Sequence, residues 1–199
     1  MRQPGRPFIS LDLDGVICRP PLGFNIAIGR SLRSQPLPAA LAAGGGTPPY
    51  PRSNLLPFAV ELLRAVGRRP MPDATAGLRA IAGMRRLALV TGRAAVGRTL
   101  LEHWLARYGL LALFDQVLLN GTALPSAQYK LWTARSLGFR EHVDDDGATT
   151  YYLATNGTPH VVLRDWPGNR GLPYPPNVAM VRSLEELPDL LALWDRAGT

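Results

Sequence analysis

A chain of 199 residues with 46% apolar residues can bury a sizeable core in one domain with a small accessory one, which excludes wholesale disorder. The formal charge of +7 invites a phosphate-bearing or nucleic-acid partner, but the arginines are scattered singly or in pairs without interleaved aromatics. They read mostly as solvated faces, and nucleic acid is disfavoured as a partner. Cys18 is the only cysteine, which excludes an internal disulfide and a thiolate metal cluster. With no apolar run of membrane-span length and no leader-like N-terminus, the expectation is a soluble cytoplasmic protein with no membrane partner.

In chain order, Phe8 to Val16 is a short apolar run bounded by a glycine, read as a buried parallel strand. It ends in Asp12 and Asp14, which a two-residue period puts on one side of an extended chain. Two carboxylates that close ask for a cation between them, or for one that stays protonated. The alternative is an ordinary solvated Asp-Leu-Asp-Gly turn. Residues 19 to 52 are rich in Pro and Gly and show no clear element. A helix is predicted from Ser53 or Asn54 as cap, with Pro57 in its first turn and Gly67 as its stop. A second begins near Asp73 and carries Leu78 and Ile81.

From there the pattern is regular. Leu87 to Val90 reads as a strand ending in Thr91-Gly92-Arg93, followed by a helix to about Tyr108 and a strand over Gln116 to Leu119. A helix over Ser126 to Leu137 carries Lys130, and Glu141 to Val143 leads into Asp144-Asp145-Asp146. A helix over Ala148 to Ala154, strands at His160 to Leu163 and Val178 to Val181, and a helix from Leu184 capped by Ser183 and Glu186 complete the chain. This alternation predicts an α/β fold with a doubly wound, Rossmann-like parallel sheet and helices on both faces.

The polar groups gather where such sheets bind ligands, at the carboxyl ends of strands. Three carboxylates around one point suit a hard cation such as Mg²⁺. Thr91 offers a hydroxyl and Gly92 an amide to an anion. Lys130 stands out because 21 of the 22 basic residues are arginine, so the exception marks a place for a compact ammonium, or a lone surviving surface lysine. Together these residues describe a phosphoryl group held between a magnesium ion and a lysine.

Asp12-Leu13-Asp14-Gly15-Val16, Val90-Thr91-Gly92-Arg93, Lys130 and His142-Val143-Asp144-Asp145 resemble, in order, the four motifs of the haloacid dehalogenase-like (HAD) superfamily of phosphohydrolases. The resemblance implies that Asp12 attacks phosphorus and forms an aspartyl-phosphate, and that Asp14 protonates the leaving oxygen and then activates water. It implies that Thr91, Gly92 and Lys130 bind the phosphoryl group. Mg²⁺ would lie with Asp12, the Asp14 carbonyl and Asp144, with Asp145 as ligand or close neighbour; Asp146 leaves the register open by one residue. An acid at Asp14 favours a phosphatase over a dehalogenase, which has no leaving oxygen to protonate.

Asp12 and Thr91 lie 79 residues apart, far more than one crossover needs, whereas Thr91 and Lys130 lie 39 apart. By the same resemblance a small, mainly helical cap occupies residues 19–72, and residues 1–18 and 73–199 form the core. Phe24, Arg30, Arg33 and Arg52 are candidate substrate contacts in that cap. Arg164 to Arg170 resembles a loop of the deoxyribonucleotidase-like branch, or is a Pro/Gly turn with a half-buried tryptophan. The expected activity is Mg²⁺-dependent hydrolysis of a small phosphorylated metabolite, a nucleoside monophosphate among the candidates. The alternatives are a non-catalytic phosphate-binding module and a nucleic-acid end phosphatase. Oligomeric state is not readable.

Overall fold

The computed structural model describes residues 5–20, 36–42, 47–50, 58–62 and 67–198. Phe24, Arg30, Arg33 and Arg52, and the helix cap at Ser53 or Asn54 with Pro57, lie outside these residues. Six strands, β1 (Phe8–Leu11), β2 (Arg86–Ala94), β3 (Phe114–Asn120), β4 (Glu141–Asp144), β5 (His160–Arg164) and β6 (Val178–Val181), form one sheet in the order β3-β2-β1-β4-β5-β6. Every neighbouring pair is parallel. The chain winds outward from β1 to β3, then returns to place β4 against the other side of β1. The strand order therefore reverses between β1 and β4, and the crevice beyond their carboxyl ends is the place such a sheet offers a ligand.

The helices are α1 (Ala39–Ala42), α2 (Ala74–Ala82), α3 (Arg98–Arg107), α4 (Ser126–Leu137), α5 (Gly147–Thr155) and α6 (Leu187–Ala197). Successive strand residues point to opposite faces, and both faces are apolar. Leu87 and Leu89, with Ile9, Leu11, Val143 and Val162, pack against Leu78 and Ile81 of α2, Leu101 and Leu105 of α3, and Leu187 and Leu191 of α6. Ala88, Val90 and Val161 meet Tyr129, Leu131 and Ala134 of α4 and Leu153 of α5 on the other face. The predicted doubly wound fold is thus present, with helices on both faces. Among the described residues, no helix is long and apolar enough to cross a membrane.

Three local expectations differ. β2 continues through Thr91, Gly92 and Arg93 to Ala94, because Ala94 still pairs with Asn120 across a register shift after Thr91. Ser183 accepts the Glu185 amide, but Glu186 turns back to the Arg182 amide, so a 3₁₀ turn at Leu184–Glu186 precedes α6 in place of a capping box. The reading of arginines as solvated faces fails at Arg85, Arg93 and Arg164, all buried in ion pairs. Arg85 forks onto Glu141 at 2.8 Å and Asp195 at 2.6 Å, tying β4 to α6 with a planar geometry that suits carboxylates.

Within the region between β1 and α2, residues 58–62 are helical. Leu37 and Leu41 join the core layer of α4 and α5, and the Pro36 carbonyl accepts from Gln128 at 3.1 Å. On the opposite face α2 lies close to the turn before α6. A Cβ on Gly77 would stand 2.5 Å from the Leu184 Cβ and 2.8 Å from its carbonyl carbon, and that backbone has nowhere to go. Gly77→Ala is expected to lower stability by about 1–3 kcal/mol through overpacking, despite alanine's better helix propensity. Urea unfolding checks this: the midpoint falls, and an unchanged midpoint would show that α2 has room to spare.

Candidate active site

β1 and β4 carry polar residues at alternate positions on the face covered by α4: Ser10 then Asp12, and His142 then Asp144. The Asp12 amide donates to the Val143 carbonyl at 2.8 Å, which fixes the two strand ends side by side. Lys130, one turn into α4, reaches down between them. Its Nζ lies 2.9 Å from Asp12 Oδ1 and 2.7 Å from Asp144 Oδ2, with all three side chains buried. Burial works against the lysine's charge, but the Asp12 and Asp144 carboxylates outweigh it and hold the ammonium above the ordinary lysine range.

Asp144 is held on every side. Oδ1 accepts the Asp145 and Asp146 amides at 3.0 and 3.1 Å, and Oδ2 accepts Lys130 and lies 2.9 Å from His142 Nε2. Burial pushes its carboxyl up, but Lys130 and His142 overcome this and hold it below the usual carboxylate range. Burial also lowers the His142 pKa, favouring a neutral ring. With its proton on Nε2, that ring donates to Asp144, while Nδ1 lies 2.7 Å from the Ser10 hydroxyl oxygen, which also reaches the Glu141 carbonyl at 3.0 Å. Ser10 and His142 had no assigned role in the sequence. Ser10 was legible there as a polar residue at an inward position of an otherwise apolar strand, whereas His142 lies in the mostly polar strand Glu141–Asp144.

Asp146 is the N-cap of α5, its Oδ2 accepting the Thr149 amide at 3.0 Å. The acidic run is therefore divided: Asp144 anchors Lys130, Asp145 is buried beside the cluster, and Asp146 starts a helix. The Asp14 carboxylate is not among the three, those of Asp12, Asp144 and Asp145, that gather within 4.8 Å of one another, although its charge still acts on Asp12. After Leu13 the chain turns at Gly15, whose φ of 72° suits a residue without Cβ. Arg93 grips the Asp14 carboxylate through Nε at 2.8 Å and Nη2 at 2.7 Å, and Arg68 Nη2 bonds the same Oδ1. Two guanidinium groups, not a shared cation, resolve the charge at Asp14.

Arg93 also faces Glu61 at 3.7 Å, a buried residue of the helical 58–62 piece, while Trp104 and Tyr108 of α3 hold the Arg68 carbonyl at 3.1 and 3.2 Å. Thr91 is buried, its Oγ1 accepting the Arg93 amide at 3.3 Å. Gly92 is needed for a close approach: a Cβ there would lie 2.6 Å from the Ser126 Cβ at the start of α4, the helix that carries Lys130. The structure thus brings Asp12, Lys130, Asp144 and Asp145 together. Arg68 and Glu61 had no sequence signal of their own and Arg93 only its place in Val90-Thr91-Gly92-Arg93, because Arg68 and Arg93 meet Asp14, and Glu61 meets Arg93, across long stretches of chain.

The cluster suits a divalent cation. Asp12, Asp144 and Asp145 each offer a carboxylate oxygen, all within 4.8 Å of one another and buried, against the single positive charge of Lys130. Oxygen-only ligands of this charge match a hard ion such as Mg²⁺. Asp12 carries the cost of the excess: burial, with the Asp144 and Asp14 charges, pushes its pKa up to about 7 despite Lys130. This folded value exceeds the unfolded one, so the folded state binds the extra proton and metal-free stability falls as the pH rises from about 4 to about 7. Metal-free Asp12→Asn should therefore be more stable than wild type at pH 8, on the order of 1 kcal/mol, with the gain shrinking towards pH 5. Denaturant unfolding in a chelator checks it; a pH-independent difference would contradict it.

No protein-family model and no curated protein sequence matches the chain. Solved structures do. A HAD-like family hydrolase from Streptococcus pneumoniae superposes with a TM-score of 0.58 at 14% identity, covering 95% of this chain and 98% of that one. L-2-haloacid dehalogenase from Xanthobacter autotrophicus gives 0.57 at 16% identity, over 94% and 98%. A HAD phosphatase from Thermococcus onnurineus gives 0.55 at 19% identity, over 93% and 97%. At these identities the likeness is one of fold, and it runs nearly the full length of both chains. The chain has the fold of the HAD-superfamily hydrolases.

Proposed function

We propose that the protein is a Mg²⁺-dependent phosphomonoester hydrolase that works through an aspartyl-phosphate on Asp12, with a small phosphorylated metabolite as substrate. The carrying observation is Lys130, whose buried ammonium joins Asp12 to Asp144 beside a third carboxylate. Lys130 holds one Asp12 oxygen, Oδ1, and steadies the charge that grows as the phosphoryl group arrives. Mg²⁺ would supply charge neutralisation and orient the phosphoryl oxygens. A carboxylate has about four acceptor sites, and four donors already fill those of Asp144. That favours Asp12 and Asp145, with the Asp14 carbonyl, as its direct ligands, and Asp144 as the anchor of Lys130.

Asp14 enters this cycle from an ion pair. As a carboxylate between Arg68 and Arg93 it is in the form that takes a proton from water, which the second step requires. The acid role in the first step requires it to take up a proton as well as to exchange a guanidinium for the leaving oxygen. Thr91 and Gly92, beside the start of α4, would bind phosphoryl oxygens. Arg85, Arg93 and Arg164 are consumed in internal ion pairs, which weakens the case for a nucleic-acid end phosphatase.

The engagement of Asp14 also favours a second reading, a phosphate-binding module without turnover. A panel of phosphomonoesters, including nucleoside monophosphates and sugar phosphates, separates the two. With Mg²⁺ the wild type should release phosphate, and Asp12→Asn should lose roughly 10³-fold or more. Lys130→Arg should lose about 10²-fold, because a planar fork cannot replace an ammonium set between two carboxylates. No release from any substrate, with Asp12→Asn indistinguishable from wild type, would remove the hydrolase reading.

A further inference from the structure

After β5 the chain does not run out into solvent but straps itself over the two turns that carry the acidic residues. Arg164, the last residue of β5, donates from Nη1 to the Val16 carbonyl at 3.0 Å and from Nη2 to Asp73 at 2.9 Å. Trp166 donates its indole N–H to the Gly15 carbonyl at 3.2 Å. Both carbonyls lie just beyond Asp14. A 3₁₀ turn, Pro167–Asn169, then places Asn169 against the turn after β4.

Asn169 is fully buried, and its amide is used at both ends. Nδ2 donates to the Asp145 carbonyl at 2.7 Å and to the Arg164 carbonyl at 3.2 Å, while Oδ1 accepts the Gly147 amide at 3.2 Å. The fit is close: a Cβ on Gly147 would stand 2.9 Å from Asn169 Oδ1 and would collide with the Tyr174 hydroxyl. One strap therefore grips the turn after Asp12 and the peptides on either side of Asp146. Those two turns flank the crevice between β1 and β4, and the strap's three side chains bond the backbones of both. A carboxylate's reach is limited by its backbone and its few rotamers, so holding the Asp145 carbonyl restricts the positions its side chain can take.

We infer that Asn169, together with Trp166 and Arg164, is a positioning residue that sets the spacing of the Asp12 and Asp145 carboxylates and thereby the affinity of the site for a divalent cation. The inference rests on the metal reading proposed above. Groups that hold metal ligands from behind commonly change metal affinity by about 10–100-fold when removed.

The test is a titration with Mg²⁺ alone, without substrate, by calorimetry and by the Mg²⁺ dependence of the melting temperature. Asn169→Ala should weaken Mg²⁺ about 10–100-fold. Trp166→Phe, which removes the indole N–H and leaves a smaller aromatic ring in its place, should weaken it by about 3–10-fold and serves if Asn169→Ala does not fold. Asn177→Ala is the control for a purely structural effect. Its Nδ2 also bonds two carbonyls, those of Ala154 and Thr158 at 3.2 and 2.9 Å, away from the acidic cluster. That variant should melt lower without Mg²⁺ yet keep its Mg²⁺ affinity within about twofold. Wild-type affinity in Asn169→Ala or Trp166→Phe, or an equal loss in Asn177→Ala, overturns the inference while leaving the metal reading intact. A wild type that binds no Mg²⁺ overturns the metal reading, and this inference with it.

Discussion

The ammonium of Lys130 between Asp12 and Asp144 is the interaction on which the site depends. Three buried carboxylates in one crevice repel one another, and burial alone disfavours each charge. Lys130 lowers that cost without cancelling it, so Asp144 stays ionised while Asp12 is pushed up to about 7. The remaining negative charge is what a divalent cation held there would neutralise. Each part of the fold serves this placement. The reversal of strand order sets Asp12 and Asp144 side by side, and Gly92 lets α4 approach near enough to deliver the lysine. In a chain that otherwise uses arginine, the ammonium's small size explains the exception: it sits 2.9 and 2.7 Å from two carboxylates at once.

Behind and around that contact, polar groups are paired in depth. Ser10 and His142 back Asp144 from within the sheet, and Arg68 and Arg93 hold Asp14 at the rim. Unpaired, each would cost free energy; paired, they fix geometry. Glu61 brings the 58–62 piece to Arg93, and Arg68 bonds Asp14 directly, so the region between β1 and α2 is linked to Asp14 through two guanidinium groups. The site is therefore connected both to the segment predicted to choose the substrate and to the strap after β5.

Much of this was legible in the sequence where physics is local. The helix over Ser126–Leu137 is found with its predicted ends, because Gly138, with a φ of 68°, marks the stop. Strands buried on both faces left runs such as Leu87 to Val90 that could hardly be read otherwise. The gathering of Asp12, Lys130 and Asp144 was legible from their positions at strand ends and a helix start. What escaped was non-local. No period links Asp14 to Arg68 or Arg93, so the arginines looked like surface, and Asp12 and Asp14 without them ask for a cation or for one protonated carboxylate. The strand over Leu87 to Val90 looked finished at Thr91-Gly92-Arg93 because glycine and arginine are weak strand signals, yet the pairing of Ala94 with Asn120 keeps them in the sheet. Glu186 matched a capping box by spacing, but the Arg182 amide took its carboxylate first.

The central claim is that Asp12 is the atom-transferring group, and covalent labelling tests it most directly. The protein, mixed with Mg²⁺ and a turned-over phosphomonoester or a reactive acyl phosphate, is quenched in acid and digested. Mass spectrometry then looks for one added phosphoryl group. The account predicts that group on Asp12, in the peptide that also contains Asp14, and its absence from Asp12→Asn. Phosphate release without any label on Asp12, or a label carried by a different residue, would contradict it.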